Sequence, residues 1–196
     1  KGEGMGLAMM LELPVVIVDV QRAGPATGMP TKTEQADLLQ AMYGRSGEAP
    51  VIVLAASSPS DCFDSAIESV RLAVRHMCPV ILLTDGGMAN GAEPWRVPDM
   101  STYEPIEIRH PTEPNSEDGF LPYLRDDETL ARPWVRPGTP GLEHRVGGLE
   151  KEADTGNVCY DGDNHDAMSR ARQAKIEAAQ QVIPPIEVHG TVDSST

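Results

Sequence analysis

The sequence predicts an α/β fold, a parallel sheet with helices on both faces, followed by an irregular proline-rich extension and a further helix. Two observations carry the sheet. Three apolar, β-branched runs (residues 13–20, 51–56 and 79–83) alternate with amphipathic stretches, and runs apolar on both faces suit strands buried between helical layers. A third observation carries the extension: nine prolines between positions 94 and 140 leave little room for long regular elements.

The elements follow in order. Residues 2–12 read as a glycine-rich helix, and LPVVIVDV (13–20) reads as a strand covered on both sides. A polar loop, 21–32, leads to a helix opening at Thr33, whose hydroxyl can cap the next turn. Leu38, Leu39 and Met42 give that helix a short buried stripe, and Gly44 and Gly47 stop it. After the second strand, Ser58 with Pro59 at the first helical position and Asp61 three residues on marks a strong helix start. Phe63, Ala66, Ile67, Val70, Ala73, Val74 and Met77 then keep the three-and-four spacing of one buried face. The third strand stops at Asp85-Gly86-Gly87. Strand–helix–strand alternation implies right-handed crossovers, and ligands of such sheets sit beyond the carboxyl ends of the strands. Gln21, Arg22, Ser57, Thr84 and Asp85 are therefore expected at the functional edge.

Beyond residue 91 the chain is too apolar at Phe120, Leu121, Tyr123 and Trp134 to be simply disordered, and a wrap over the domain or a partner is expected. A last helix is expected from Asp166 to about Gln181, with Met168, Ala171, Ala178, Ala179 and Val182 on one side. Pro184-Pro185 makes a stiff exit. The expected division is 1–91 for the α/β domain with its N-terminal part missing, 92–165 for the extension, and 166–196 for a helix and linker to a following domain. The chain starts at Lys1, inside a helix and without an initiator Met, and reads as a fragment.

Composition narrows the function. A length of 196 residues suits one domain with an appendage. With aromatics at only 4% of the sequence, the core must be aliphatic. A net charge of −14 opposes nucleic acid and acidic membranes. It would also repel an acidic electron carrier, so any such carrier should dock on another subunit. Cys62, Cys78 and Cys159 lack C-x-x-C spacing, which argues against disulfides, a zinc site or an iron–sulfur cluster on this chain alone and fits a reducing cytoplasm. No run approaches membrane-span length, and no signal segment opens the chain.

The informative segment is QRAGPATGMPTKTEQ, 21–35. Two glycines and two prolines between strand and helix specify an unusual backbone path, which is worth fixing when side chains must be aimed. Arg22, directly after the strand, has the planar fork that grips a carboxylate through two parallel bonds. An exposed arginine, or one paired with Asp19 or Glu34, is the competing reading. Other tempting residues have plainer readings. Asp161-Gly-Asp-Asn-His-Asp166 lacks the glycine and distal glutamate of a calcium loop and reads as a solvated turn. His110, His144, His165 and His189 show no paired ligand spacing. Gly2-Glu-Gly-Met-Gly6 precedes a strand and so fails as a dinucleotide motif, and Ser57-Ser58 suits capping better than anion binding.

The string VDVQRAGPATGMPTKTEQADLLQAMYGRSGEAP (18–50) resembles the α subunits of 2-oxoacid:ferredoxin oxidoreductases. SSPSDCF (57–63), DGGMANGAEPW (85–95) and GLEHRVGGLEK (141–151) agree in order and spacing, so the similarity covers nearly the whole chain. The resemblance implies the pyrimidine-type domain of a thiamine-diphosphate enzyme and the segment leading out of it. It implies oxidative decarboxylation of a 2-oxoacid, 2-oxoglutarate above all, to an acyl-CoA and CO2 with reduction of ferredoxin; a pyruvate- or indolepyruvate-specific relative and a non-catalytic assembly module are the alternatives. It implies that Arg22 binds the substrate carboxylate and that Gly24, Pro25, Thr27 and Gly28 line the same pocket. Thiamine diphosphate, Mg2+ and an iron–sulfur cluster are expected in the full complex on other chains or segments, with a β subunit carrying the cofactor, γ and δ subunits or domains, and ferredoxin docking elsewhere. The substrate loop and the glutamate that activates the aminopyrimidine are expected upstream of Lys1. Ala26 replaces the usual Ser and removes a hydroxyl near the substrate. Ser46 replaces a frequent His, so no acid or base role falls there.

Overall fold

Of the three β-branched runs, only one is fully enclosed. A computed structural model describes residues 2–185. Helix α1 (Gly2–Leu11) precedes strand β1 (Val15–Gln21), a short helix α2 (Leu38–Tyr43) and strand β2 (Ile52–Ala55). Helix α3 (Asp61–His76), strand β3 (Pro79–Asp85), helix α4 (Gly86–Asn90) and helix α5 (Gly162–Ala179) follow. Between α4 and α5 the only regular element is a single 3-10 turn at Met100–Thr102. The strands are parallel in the order β1-β3-β2, with Ile17 and Val53 both facing Ile81 in register. The last run of the sequence takes the centre, and every residue of β3 is buried.

The pleat sorts side chains to two layers, since successive residues point to opposite faces. Val16, Ile52, Leu54 and Val80 pack on Leu72 and Ala73 of α3 and on Ala179 of α5. Ile17, Val53, Ile81 and Leu83 pack under Met5 of α1 and Ala41 of α2. Helices therefore cover both faces, as the sequence predicts.

Local expectations in four elements need correction. β1 is an outer strand, and Val18 and Val20 are 56% and 45% exposed, so it is not covered on both sides. The helices that cover Val16 do not reach them. α2 begins at Leu38, not at Thr33, because the Thr33 hydroxyl is spent on Asp85 across the sheet edge. Leu38, Leu39 and Met42, the expected buried stripe, are exposed, and Ala41 is the buried residue. α3 forms but starts at Asp61 with Ser60 in the N-cap position, later than Ser58 and Pro59 predict, although Ser58 Oγ still accepts the Asp61 amide at 3.2 Å. Its deepest face, however, is Ser69, Leu72, Ala73 and His76, while Ala66 and Val70 are exposed. Polar residues can turn inward there because Ser69 Oγ donates to Ser65 O at 2.7 Å and His76 Nδ1 lies 3.1 Å from Thr129 O. Finally, α5 starts at Gly162, and Asp161 is its N-cap, accepting the amides of Asp163 and Asn164; the supposed turn is the first turn of the helix.

The buried stripe of α5 is Met168, Arg172, Lys175 and Ala179, two cations between two apolar residues, where only the apolar positions were expected. Their burial has a cause: Lys175 is paired with Glu12 and Arg172 with Glu150, and the same region draws in two more cations. α1 carries no basic residue in its last turn, yet a helix C-terminus presents unpaired carbonyls and partial negative charge. The extension supplies the cations. Lys151 Nζ donates to Met10 O at 3.0 Å, and Arg132 Nε donates to Leu11 O at 3.0 Å and to Glu12 O at 3.1 Å. Both cations lie over the buried Tyr123 ring, 5.3 and 5.5 Å from its centroid, a cation–π arrangement.

Glu12, in the left-handed region at φ 51°, completes this cluster. Its carboxylate accepts from both Arg125 and Lys175 Nζ. Burial pushes the Glu12 carboxyl up, but Lys175 and Arg125 outweigh it and hold it below the ordinary carboxylate range. The proline-rich stretch is thus fastened by charge to both α1 and α5. Among its other apolar residues Val135 and Leu142 are buried, and the Trp134 ring lies 5.1 Å from His110. The linker expected beyond Pro185, and His189 with it, lie outside the described residues.

A second carboxylate fastens the extension to α5. Glu150 accepts from Arg172 at 3.1 and 3.3 Å and lies 2.6 Å from His165 Nδ1. Partial burial alone would raise its carboxyl, but the bonds from Arg172 and His165 bring it down to about 2. A depressed carboxylate contributes stability above its unfolded pKa and loses it as pH falls through the folded one. Wild-type protein should therefore lose stability relative to Glu150→Gln between pH 4.5 and about 2, with the difference constant above that window. Denaturant melts of both proteins across this range check it; a difference that does not change with pH would mean that the carboxylate is not held by charge.

Candidate functional site

The carboxyl ends of β1 and β3 finish level, with Gln21 opposite Asp85 in register, and the loop that follows β1 is built on this pair. The chain turns back on itself immediately. Ala23 and Met29 form an isolated antiparallel bridge, with the Met29 amide donating to Ala23 O at 3.2 Å, and the Lys32 amide donates to Met29 O at 3.1 Å. The Gly24–Pro25 peptide is cis. Gly28 sits at φ 49°, and a Cβ there would fall 1.9 Å from Ala23 O. Only glycine fits, because the position is left-handed and the opposing backbone is in contact.

The return limb is tied to the same two residues. The Asp37 amide donates to Gln21 Oε1 at 3.0 Å, and Gln21 Nε2 donates to Thr84 O at 3.2 Å. Gln35 Nε2 donates to Asp85 Oδ2 at 2.9 Å, and Thr33 Oγ1 to Asp85 Oδ1 at 3.3 Å. These bonds draw on Gln21, Thr33, Gln35 and Asp37 and leave the Arg22 guanidinium out. Arg22, Gly24, Pro25, Thr27 and Gly28 are all exposed on this single loop. The fold therefore brings the candidate residues together at the sheet's carboxyl rim, presented outward.

Other residues singled out in the sequence fall away from this loop or into plain structural roles. Ser57 Oγ and its amide donate to Asp61 Oδ2 at 2.9 and 2.7 Å, and the Ser60 amide donates to Glu93, so the start of α3 is filled by the protein's own carboxylates. His144 Nδ1 lies 2.7 Å from Leu142 O, and its ring is 5.2 Å from Phe120. Arg45, beside Ser46, donates to Met42 O at 2.8 Å and Ala49 O at 2.7 Å, closing the turn after α2. That turn and the polar face of α5 enclose an open depression of about 460 Å3, lined by Tyr43, Arg45, Glu48, Ser169 and Arg170 among others. Arg22 is not part of it.

Among the described residues, no group of three or more His, Cys, Asp or Glu is placed to hold a metal ion. The three cysteines are free, and burial pushes the Cys78 thiol up to about 12. The described residues thus offer no cluster of thiols for an iron–sulfur centre, and no chemical step is routed through a metal here. No helix among the described residues is long and apolar enough to cross a membrane.

A parallel sheet whose carboxyl rim carries a fastened, outward-facing loop has the layout in which open α/β domains receive their ligands. The chain belongs to the family described as pyruvate flavodoxin/ferredoxin oxidoreductase, thiamine-diphosphate-binding, whose model matches residues 1–160. Within it, 190 residues are 57% identical to the 2-oxoglutarate oxidoreductase subunit KorA of Mycobacterium tuberculosis, covering 96% of this chain and 28% of that protein. The 2-oxoglutarate synthase subunit KorA of Methanothermobacter marburgensis is 39% identical over 122 residues, 62% of this chain and 31% of that protein. The structure of a 2-oxoglutarate:ferredoxin oxidoreductase from Magnetococcus marinus, with 2-oxoglutarate, coenzyme A and succinyl-CoA bound, superimposes at a TM-score of 0.87. Sequence identity there is 34%, over 97% of this chain and 32% of that one. The chain therefore spans roughly 30% of the length of these relatives.

Proposed function

We propose that this chain is part of the α subunit of a thiamine-diphosphate-dependent 2-oxoacid:ferredoxin oxidoreductase acting on 2-oxoglutarate, and that Arg22 binds the substrate's carboxylate. The observation that carries the reading is an exposed guanidinium at the carboxyl rim of a parallel sheet, on a loop whose every fastening bond is made by other residues. The reading is supported by relatives named for 2-oxoglutarate and by the Magnetococcus marinus enzyme with that substrate bound.

In the intact enzyme, 2-oxoglutarate and coenzyme A would yield succinyl-CoA and CO2, and the electron pair released would reduce ferredoxin. Thiamine diphosphate supplies the carbanion chemistry at the keto carbon when it is bound. The work of this chain is to hold and aim the substrate. Arg22 would grip the carboxylate next to the keto group with its paired N–H bonds, an orientation effect. A grip of moderate strength suits the step, because that carboxylate departs as neutral CO2. Gly24, Pro25, Thr27 and Gly28 would form the wall around it. The diphosphate, its Mg2+ and the β subunit that carries them would close the exposed side of the loop, and the iron–sulfur centre and the ferredoxin dock would lie on other subunits or domains, γ and δ among them. A cytoplasmic setting fits the free thiols.

The test uses the assembled enzyme. Arg22→Ala should lower kcat/KM for 2-oxoglutarate about 10- to 100-fold, the loss of a charge-assisted bond. Arg22→Lys, which keeps the charge and loses the fork, should recover only part of this. Wild-type kcat/KM should be higher for 2-oxoglutarate than for pyruvate or indolepyruvate. Unchanged turnover in both variants, with normal assembly, would leave Arg22 without a substrate role.

A further inference from the structure

We infer that Asp85 is a positioning residue for the substrate loop: through Gln35 and Thr33, its carboxylate holds the Arg22 loop in the geometry that receives the 2-oxoacid. This rests on the substrate reading of Arg22 given above. The plain alternative is that Asp85 only caps α4, since the Met88 amide donates to its Oδ1 at 2.9 Å. One oxygen would suffice for that. The second, Oδ2, receives Gln35 Nε2 at 2.9 Å, and Oδ1 also takes the Thr33 hydroxyl. Both partners belong to the return limb of the loop, fifty or more residues away in sequence.

The surroundings of Asp85 are moulded on that limb. A Cβ at Gly86 would come 2.9 Å from Pro30 O, and one at Gly87 would come 2.1 Å from Thr33 Oγ1. The glycines after Asp85 thus let residues 30–33 lie directly against the start of α4. On the other strand, Gln21 holds the Asp37 amide. The loop is therefore clamped to two residues that face each other in register at the ends of β1 and β3. Asp85 sits at the rim, yet its partners leave it only 3% exposed. Its carboxyl lies below the ordinary range, with the Gln35 bond as the largest cause. The anion is thus bound by its neighbours, and the loop supplies two of them.

A charge swap tests the clamp without deleting the cap. In the intact enzyme, Gln35→Glu sets two carboxylates against each other. It should raise KM for 2-oxoglutarate about tenfold or more, the scale of one charge-assisted bond. KM for coenzyme A should be unchanged, and amide hydrogen exchange should rise within residues 22–36. Adding Asp85→Asn to Gln35→Glu restores a donor facing an acceptor and should bring both readouts back to near wild type. Exchange unchanged in the single variant, or no rescue in the double, would overturn the clamp. So would a loosened loop with KM unmoved. Arg22→Ala, measured alongside, keeps the two ideas apart. If it too leaves KM unmoved, the substrate reading fails and this inference with it. If only Gln35→Glu is silent, the clamp alone is wrong.

Discussion

Glu12→Gln should lower the free energy of opening of the region that joins α1 to the extension and α5 by about 3–5 kcal/mol, the cost of breaking a buried ion pair by removing one partner. Glu12 and Lys175 are each 2% exposed, and Arg125 is 13% exposed. The amide that replaces the carboxylate keeps the shape but cancels the charge, leaving two cations with little water to turn to. Arg132 and Lys151 stand near the same helix end, so the loss is felt by four cations at once. Hydrogen exchange on the intact chain measures it, as faster exchange at the end of α1, across residues 123–132 and along α5. The pairing is costly to break but not costly to replace: Glu12→Leu combined with Arg125→Leu and Lys175→Met should recover most of the loss, as buried ion pairs often yield to apolar packing. Normal protection in Glu12→Gln would mean that water already solvates the cluster.

Gly28→Ala should reduce kcat/KM of the assembled enzyme about 100-fold while leaving global stability nearly intact. Two costs coincide there. A left-handed residue with a Cβ is strained by about 1–2 kcal/mol, and the new methyl would have to displace the Ala23 carbonyl that closes the loop's bridge. The loop must then reopen, and displacements near 1 Å in a positioning element are worth about two orders of magnitude in rate. Gly47→Ala separates the two costs. Gly47 is also left-handed, at φ 65°, but nothing lies within 4 Å of an added Cβ. It should carry the strain without the kinetic loss. Equal kinetic effects at both positions would show that backbone strain, and not the closed bridge, matters.

The parts of the fold that local chemistry decides were legible beforehand. The three strands, the long helix α3, and the gathering of Gln21, Arg22 and Asp85 at one rim all follow from apolar runs, helical periodicity and strand order. What the sequence hid depends on partners far along the chain. Thr33 looks like a helix cap until Asp85 is brought beside it, 52 residues later. Arg172 and Lys175 look like solvated helix residues, because nothing near them announces Glu150 or Glu12. The Glu12–Lys175 bond spans 163 positions, well beyond any window of periodicity. The inward turn of His76 was hidden for the same reason, its partner Thr129 lying 53 residues on, whereas Ser69 turns in on Ser65 O one helical turn back. Their acceptors, Thr129 O and Ser65 O, are backbone atoms, which carry no trace in residue type. Of the loop itself, the glycines and prolines foretold a fixed path, and Gly28 has the single φ and contact that explain one of them.

The meeting of Glu12, Arg125 and Lys175 makes the long proline-rich stretch a belt whose buckle lies in the interior. Cutting such a belt at an outer point does not release it, since each half is still gripped at its inner end. A protease that nicks the stretch between residues 100 and 120 should therefore yield two pieces that travel together until acid or denaturant opens the buckle.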